Sequence, residues 1–385
     1  MLSSYRRSYH HNEYYGRILL ARIVSTLREG LQEMPSNQQT KQSIGDSQAR
    51  KGDHDSLSVI IVTYRNAAEI GQCLRVVDQA TPDIPMDVII VDNASADETV
   101  AVARRTAPNA RIIEQSDNCG FAAGCAAGAT AANGRWLLFL NPDAVIAPDA
   151  IKALLRCAVD HPSADIIGGR FVDEDGNTDP SSWWGKPSLW STLCFAVGLN
   201  TVLARYPFFN PEAPRPWTSN PDEVRFAPIV SGAFMMVKRE LWHELGGFDL
   251  AFFMYGEDAD FCLRAAEIGC RPIVTARAVC HHAGGKSSSS AQKLIFLYTG
   301  KSTLVRRHFP RGLRGVGVFL LLTGVFIRAT AGKWQGTTAG RKTAVRPGSV
   351  RPRTRLEDWQ TLWDNRKEWR SGWTNDNTYR KRADR

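Results

Sequence analysis

Three short runs constrain the fold of this chain more than any other feature. Residues 57–63 (LSVIIVT), 87–91 (DVIIV) and 136–140 (WLLFL) are almost wholly apolar. Runs of this length without alternation are expected of strands covered on both faces. Helical patterns fall between them, at 67–78, 97–106 and 121–132, and a short strand is predicted at 111–114. Further helices are predicted at 149–159, 239–245 and 258–268, and strands at 227–237 and 272–275. Strands alternating with helices predict an open parallel α/β sheet. Ligands of such sheets lie at the carboxyl ends of the strands. Thr63, Asp92, Asn141 and Asp143 fall at those ends.

The 385 residues suffice for one large domain or two ordinary ones. The hydrophobic share of 43% fits a packed core and excludes a disordered chain. Charge is uneven: residues 301–385 hold 20 of the 48 basic residues and 6 of the 39 acidic ones. A basic C-terminal region suggests an anionic partner surface. No nucleic-acid motif accompanies it, and Trp359, Trp363, Trp369 and Trp373 beside an apolar run favour a membrane over nucleic acid. That run, 316–327, is 12 residues long and bounded by Arg314 and Arg328. It is shorter than the roughly 20 residues of a membrane span, so an interfacial segment is expected, with a buried core helix as the alternative. The eight cysteines follow no zinc spacing and predict free thiols in a reducing cytosol. No secretory apolar run is visible near the start, and 14–34 reads as an amphipathic helix followed by a polar linker.

Four pieces carry chemistry. In residues 246–270, Glu257, Asp258 and Asp260 follow an aromatic run. Carboxylates beside aromatic rings lie in reduced dielectric, where a pKa rises toward the range of a general base; an acidic helix N-terminus is the bland alternative. Asp92 in VDNAS suits a ribose or a pyrimidine imide, and equally an Asx turn. In 116–128 (SDNCGFAAGCAAG), Asn118 and Gly120 are ligand candidates, whereas Gly124 and Gly128 suit close helix–sheet packing. Asp143 of FLNPDA offers part of a shell for Mg²⁺ or Mn²⁺, which complete themselves with substrate phosphates. In 279–287 (VCHHAGGKS) a histidine suits the same metal, and Lys286 a diphosphate.

In order and spacing, SVIIVTYRN (58–66), VDNAS (91–95), DNCGFAAG (117–124), FLNPDA (139–144), the long segment 231–269 and HHAGG (281–285) resemble the family 2 glycosyltransferases, in particular their bacterial rhamnosyltransferase-like branch. The resemblance spans about 57–310. It implies a GT-A nucleotide-diphospho-sugar transferase fold, a Rossmann-like mixed α/β sheet flanked by helices. The domains would be an N-terminal amphipathic segment and linker (1–55), the transferase domain (56–310) and a basic, membrane-associating helical region (311–385). Thr63, Tyr64 and Asp92 would hold the nucleoside, and Arg65 or Lys286 the diphosphate. Asn141 and Asp143 stand where the family has its metal-binding Asp-x-Asp. His281, with His282 as second choice, would join Asp143 on the metal. Asp258 would be the catalytic base with Glu257 beside it, and Trp183 and Trp184 would stack on acceptor sugars.

The implied activity is inverting transfer of a sugar, L-rhamnose foremost, from dTDP-rhamnose or a UDP-sugar to a lipid-linked or growing cell-envelope glycan. The acceptor would be polyprenyl-diphosphate-linked, at the cytoplasmic face of the membrane. A galactofuranosyl or other hexosyl donor on the same fold is the alternative, and an inactive nucleotide-binding module the non-enzymatic one.

Overall fold

The computed structural model describes residues 56–80, 85–173, 176–282, 290–336 and 356–374. The N-terminal helix expected at 14–34, its linker and Lys286 lie outside the described residues. The strands are β1 (Leu57–Thr63), β2 (Met86–Asp92), β3 (Arg111–Glu114), β4 (Trp136–Leu140), β5 (Ala144–Ile146), β6 (Ile166–Val172), β7 (Thr178–Asp179), β8 (Trp183–Trp184), β9 (Val224–Phe226), β10 (Ile229–Val230), β11 (Phe234–Lys238) and β12 (Ile273–His282). The helices are α1 (Ile70–Ala80), α2 (Thr99–Thr106), α3 (Phe121–Ala131), α4 (Ala150–Asp160), α5 (Leu189–Ala196), α6 (Leu199–Val202), α7 (Arg239–Glu244), α8 (Glu257–Glu267), α9 (Ser290–His308), α10 (Arg314–Gly336), α11 (Leu356–Asp364) and α12 (Arg366–Trp369).

The sheet is mixed, with order β3-β2-β1-β4-β11-β6-β12-β5. Its first half is the parallel sheet that the apolar runs predict: β1 lies between β2 and β4, and all seven of its residues are buried. From β11 onward the pattern changes, because β11 runs antiparallel to both β4 and β6. One core covers each face. Ile60, Val62, Phe139 and Met235 pack with α3 and α8 on one side. Val59, Ile61, Leu138 and Met236 pack with α1 and α4 on the other. A Cβ on Gly124 or Gly128 would meet Val62 or Ile60 at 2.6 and 2.5 Å, so these glycines set how closely α3 lies on β1.

The strand predicted over 227–237 is two strands, interrupted at Ser231–Gly232–Ala233. Ser231 N bonds Ser182 O, and Ala233 O accepts from Asn141 N. These bonds extend the β10–β8 and β11–β4 registers by one residue each, so the interruption passes the chain from one ladder to the other at Gly232. The last strand runs on to His282, well past the predicted 275.

Of the C-terminal tryptophans, Trp369 and Trp373 are internal, while Trp359 and Trp363 are half-buried. Trp369 is fully buried in a third core with Tyr298 of α9, Val318, Leu321 and Val325 of α10, and Leu362 of α11. Its Nε1 donates to Leu362 O at 2.8 Å. Trp373 is buried against Phe253 and Phe296. The apolar run 316–327 is the middle of a 23-residue helix with one face in this core. Trp369→Ala is expected to cost about 3–5 kcal/mol by opening a cavity. A denaturant midpoint no lower than that of the parent would show that these helices do not belong to the folded body.

Candidate active site

Two loops at the carboxyl ends of β1 and β2 are stitched into one surface. Thr63 and Asp92 are register partners. Asn66 is the hub: its Oδ1 accepts from Thr63 Oγ1 (3.3 Å) and Tyr64 N (3.1 Å), and its N–H donates to Thr99 Oγ1 (2.8 Å). Arg65 N donates to Ser95 Oγ, and Ser95 N donates to Asp92 Oδ2, both at 2.8 Å. Asp92 thus makes the Asx-type turn with one oxygen. Its other oxygen, Oδ1, is buried without a partner. A buried acceptor in that state calls for a donor from a ligand or water. The Arg65 guanidinium lies 5.0 Å from the centre of the Tyr64 ring.

The described residues include three non-glycine positions with positive φ: Arg65 (56°), Ala94 (59°) and Tyr255 (67°). All three flank the predicted site residues. Such backbone costs of order 1–3 kcal/mol per residue and persists where the surroundings impose it, as they do at binding sites.

Gly120 has φ +84°, and a Cβ there would lie 2.3 Å from Phe253 O. Phe121 N donates to that same carbonyl. Gly120 and Asn118, whose Oδ1 accepts from Gly120 N, therefore join the loop after β3 to the one before α8. Packing is the role that the geometry gives them.

Glu257 and Asp258 form the first turn of α8, after Gly256 at φ +105°. Asp258 Oδ2 accepts from Gly232 N at 3.0 Å, and Oδ1 accepts from Ala259 N at 2.8 Å. Glu257 is buried, and its Oε2 has no partner. Burial drives both carboxyls up, and in Glu257 the neighbouring Asp258 charge adds to that. The N–H groups on Asp258 oppose its rise, so Glu257 moves well up and Asp258 less. Asp258 is accordingly the more readily ionised of the two. Burial, then Glu257 and Asp143, push the Tyr255 hydroxyl up to about 12.

Asp260, in the same turn, points away from this pair. It is 1% exposed and bonds Arg264 Nε at 2.8 Å, with His308 Nε2 at 2.9 Å and Arg307 Nη1 at 3.4 Å. Burial would raise its pKa, but the His308 and Arg264 bonds prevail and hold it low. This cluster fastens α8 to the end of α9.

Asn141 and Asp143 lie in the turn between β4 and β5. The Asn141 carbonyl accepts from Ala144 N and from Cys73 Sγ. Asp143 lies near enough to Tyr255, Cys73 and Cys280 to raise all three. His281 pairs in register with Val145, two residues after Asp143. Cys280 is buried in the α1-side core, so His281, the next strand residue, faces the side of the sheet that carries α8, and it is exposed. Among the described residues no three His, Cys, Asp or Glu side chains form a metal cluster. Asp143 and His281 fit a cation only as a two-ligand site completed by substrate oxygens.

Trp183 is buried in the α8-side core at 6% exposure, which removes its ring from the surface open to a sugar. Trp184 is half-buried and is the one left for stacking. Sequence reasoning did not single out Asn66, Ser95 or Gly232. The first two sit within quoted motifs as ordinary turn residues. Gly232 interrupts an apolar run, a pattern that signals a bulge or a close backbone approach.

Residues 58–210 match the family model described as glycosyl transferase family 2. N-acetylglucosaminyl-diphospho-decaprenol L-rhamnosyltransferase of Mycobacterium tuberculosis is 32% identical over 249 residues, covering 59% of this chain and 76% of that protein. Rhamnosyltransferase WbbL of Escherichia coli is 28% identical over 190 residues, 46% of this chain and 66% of the relative. Among solved structures, a Pyrobaculum calidifontis mannosyltransferase in complex with GDP-Man and Mn²⁺ is similar over 74% of this chain and 76% of that one, at 20% identity and a TM-score of 0.47.

If Asp258 must be anionic for turnover, kcat/KM falls as pH drops through its raised pKa. The acid limb of the profile is then expected above the ordinary aspartate value of about 3.9. Glu257→Gln keeps that limb, because Glu257 is already neutral there. Loss of the limb in Glu257→Gln would assign the base to Glu257.

Proposed function

The chain belongs to glycosyl transferase family 2, and from that premise we propose that it transfers L-rhamnose, with inversion, from a nucleoside-diphosphate donor to a polyprenyl-diphosphate-linked glycan at the cytoplasmic face of the membrane. The observation that carries the mechanism is the Glu257–Asp258 pair, with Glu257 buried and the half-buried Asp258 held by Gly232 N–H. The rhamnose and the lipid-linked acceptor are supported by the activity for which the Mycobacterium tuberculosis relative is named.

Thr63, Tyr64, Arg65 and Asp92 line the nucleoside side, with Asp92 Oδ1 available for a ribose hydroxyl or a base N–H. The acceptor hydroxyl gives its proton to Asp258 and attacks the anomeric carbon from the face opposite the diphosphate. The new C–O bond forms as the sugar–diphosphate bond breaks, and that electron pair leaves on the diphosphate. One base serves one displacement, which inverts the anomeric centre; retention requires a second nucleophilic step. Glu257, protonated, has a donor to offer the acceptor. Asp143 and His281 would hold Mg²⁺ or Mn²⁺, which when bound supplies positive charge against the leaving diphosphate. Trp184 offers an apolar face to the acceptor sugar.

The test is release of nucleoside diphosphate from dTDP-rhamnose, UDP-galactofuranose, UDP-glucose and GDP-mannose, with Mg²⁺, Mn²⁺ or EDTA. Turnover of dTDP-rhamnose is expected, lowered about 10²–10⁴-fold in Asp258→Asn while the nucleotide-induced thermal shift is kept. Joint loss of binding and activity would make Asp258 a structural residue. Turnover of another donor alone would replace rhamnose.

A further inference from the structure

Part of the outer face of α10 carries exposed apolar side chains. Val316, Phe319 and Ile327 are exposed and lie on the side opposite the core residues Val318, Leu321 and Val325, while the neighbouring Phe326 packs on Trp363 of α11. Phe319 is 66% exposed. A second apolar group stands beside this stripe, on the loop-rich insertion that follows β8. Arg328 of α10 donates to Phe195 O (2.8 Å) and Asn200 Oδ1 (3.2 Å), which fixes α5 and α6 against the helix. Trp190 of α5 donates from Nε1 to Phe208 O (2.7 Å), and the two rings lie 4.9 Å apart. Val202 and Phe208, 81% and 66% exposed, are thereby presented next to α10. Exposed apolar side chains clustered in this way mark an interaction surface.

The charge around the face selects the partner. Residues 189–209 and 311–336 contain no acidic residue, while Arg205 and Arg311 are exposed at its edges. An apolar face with a basic rim complements anionic phospholipid. Two copies of this chain would bring like-charged rims together. The helix has the length and hydropathy to span a bilayer. Spanning, however, would strip Val318, Leu321 and Val325 from the core and Arg328 from its bonds to α5.

We infer that α10 and the α5–Phe208 corner form one face that lies in the plane of an anionic bilayer, with Val316, Phe319, Val202 and Phe208 inserted among the headgroups. The face deepens the proposed function by naming the surface at which a lipid-linked acceptor would be met. Its physical basis is independent of donor and acceptor.

The experiment is flotation of the full chain with vesicles of phosphatidylcholine alone, or of phosphatidylcholine with phosphatidylglycerol. It needs no substrate, so its outcome is separable from that of the turnover assay. Binding is expected to the anionic vesicles and to be released by alkaline carbonate. Phe319→Glu and Val202→Glu are each expected to lower the bound fraction at least about tenfold, from the apolar burial lost, with unchanged melting midpoints. Val202→Glu is the critical variant, because the residue lies outside the long apolar helix. The inference is overturned if the protein does not float, if Val202→Glu floats like the parent, or if binding resists carbonate. It is also overturned if the parent is a dimer in solution that Phe319→Glu makes monomeric.

Discussion

A three-residue loop, Ser231–Gly232–Ala233, ties the chemistry of this protein to its sheet. Its Gly232 N–H holds Asp258, and its Ala233 carbonyl holds the Asn141 backbone at the head of the Asn-Pro-Asp turn. One interruption between β10 and β11 therefore positions Asp258, the proposed base, and the Asn-Pro-Asp turn, the proposed diphosphate side, together. A Cβ on Gly232 would stand 3.3 Å from both Asp258 Cβ and a Phe121 ring carbon. The loop approaches α8 and α3 closely because it carries no side chain there.

Adjacent carboxyls, one buried and one half-buried, are costly, and the structure offsets that in several ways. The helix N-terminus favours negative charge in the first turn of α8. Burial and the neighbouring Asp258 charge raise the Glu257 carboxyl well above its ordinary value, which opposes two charges side by side. Asp260 is turned outward to Arg264, Arg307 and His308, which anchors the helix from behind. The C-terminal segment takes part as well. Trp373 packs on Phe253 and Phe296, and its Nε1 reaches Tyr255 O at 3.4 Å. The helices after residue 290 thus support the catalytic turn on one side and present an apolar face on the other.

Much of this was legible in the chain. β1, β3 and β4 coincide with their predicted limits; in β1 and β4, runs buried on both faces leave no ambiguity of period. Asp92, Asp143 and Asp258 were found as carboxylates at the ends of apolar runs. What escaped depends on tertiary contact. β6 and β5 carry no strong local signal and complete the sheet only by pairing with β11 and β12. The resemblance implies that Trp183 stacks on a sugar, but pairing of β8 with β10 turns it into the core, while Trp184 stays half-buried at the core's edge. Trp369 and Trp373 lie in cores that form only when the C-terminal segments meet, which composition alone does not reveal.

The account rests on one anionic base, Asp258, performing one displacement. The most direct measurement is the anomeric configuration of the transferred sugar, read by nuclear magnetic resonance on the isolated product. A configuration opposite to that of the donor is predicted. Retention of the donor configuration would contradict the account, because it demands a nucleophile that the Glu257–Asp258 pair, as held here, does not supply.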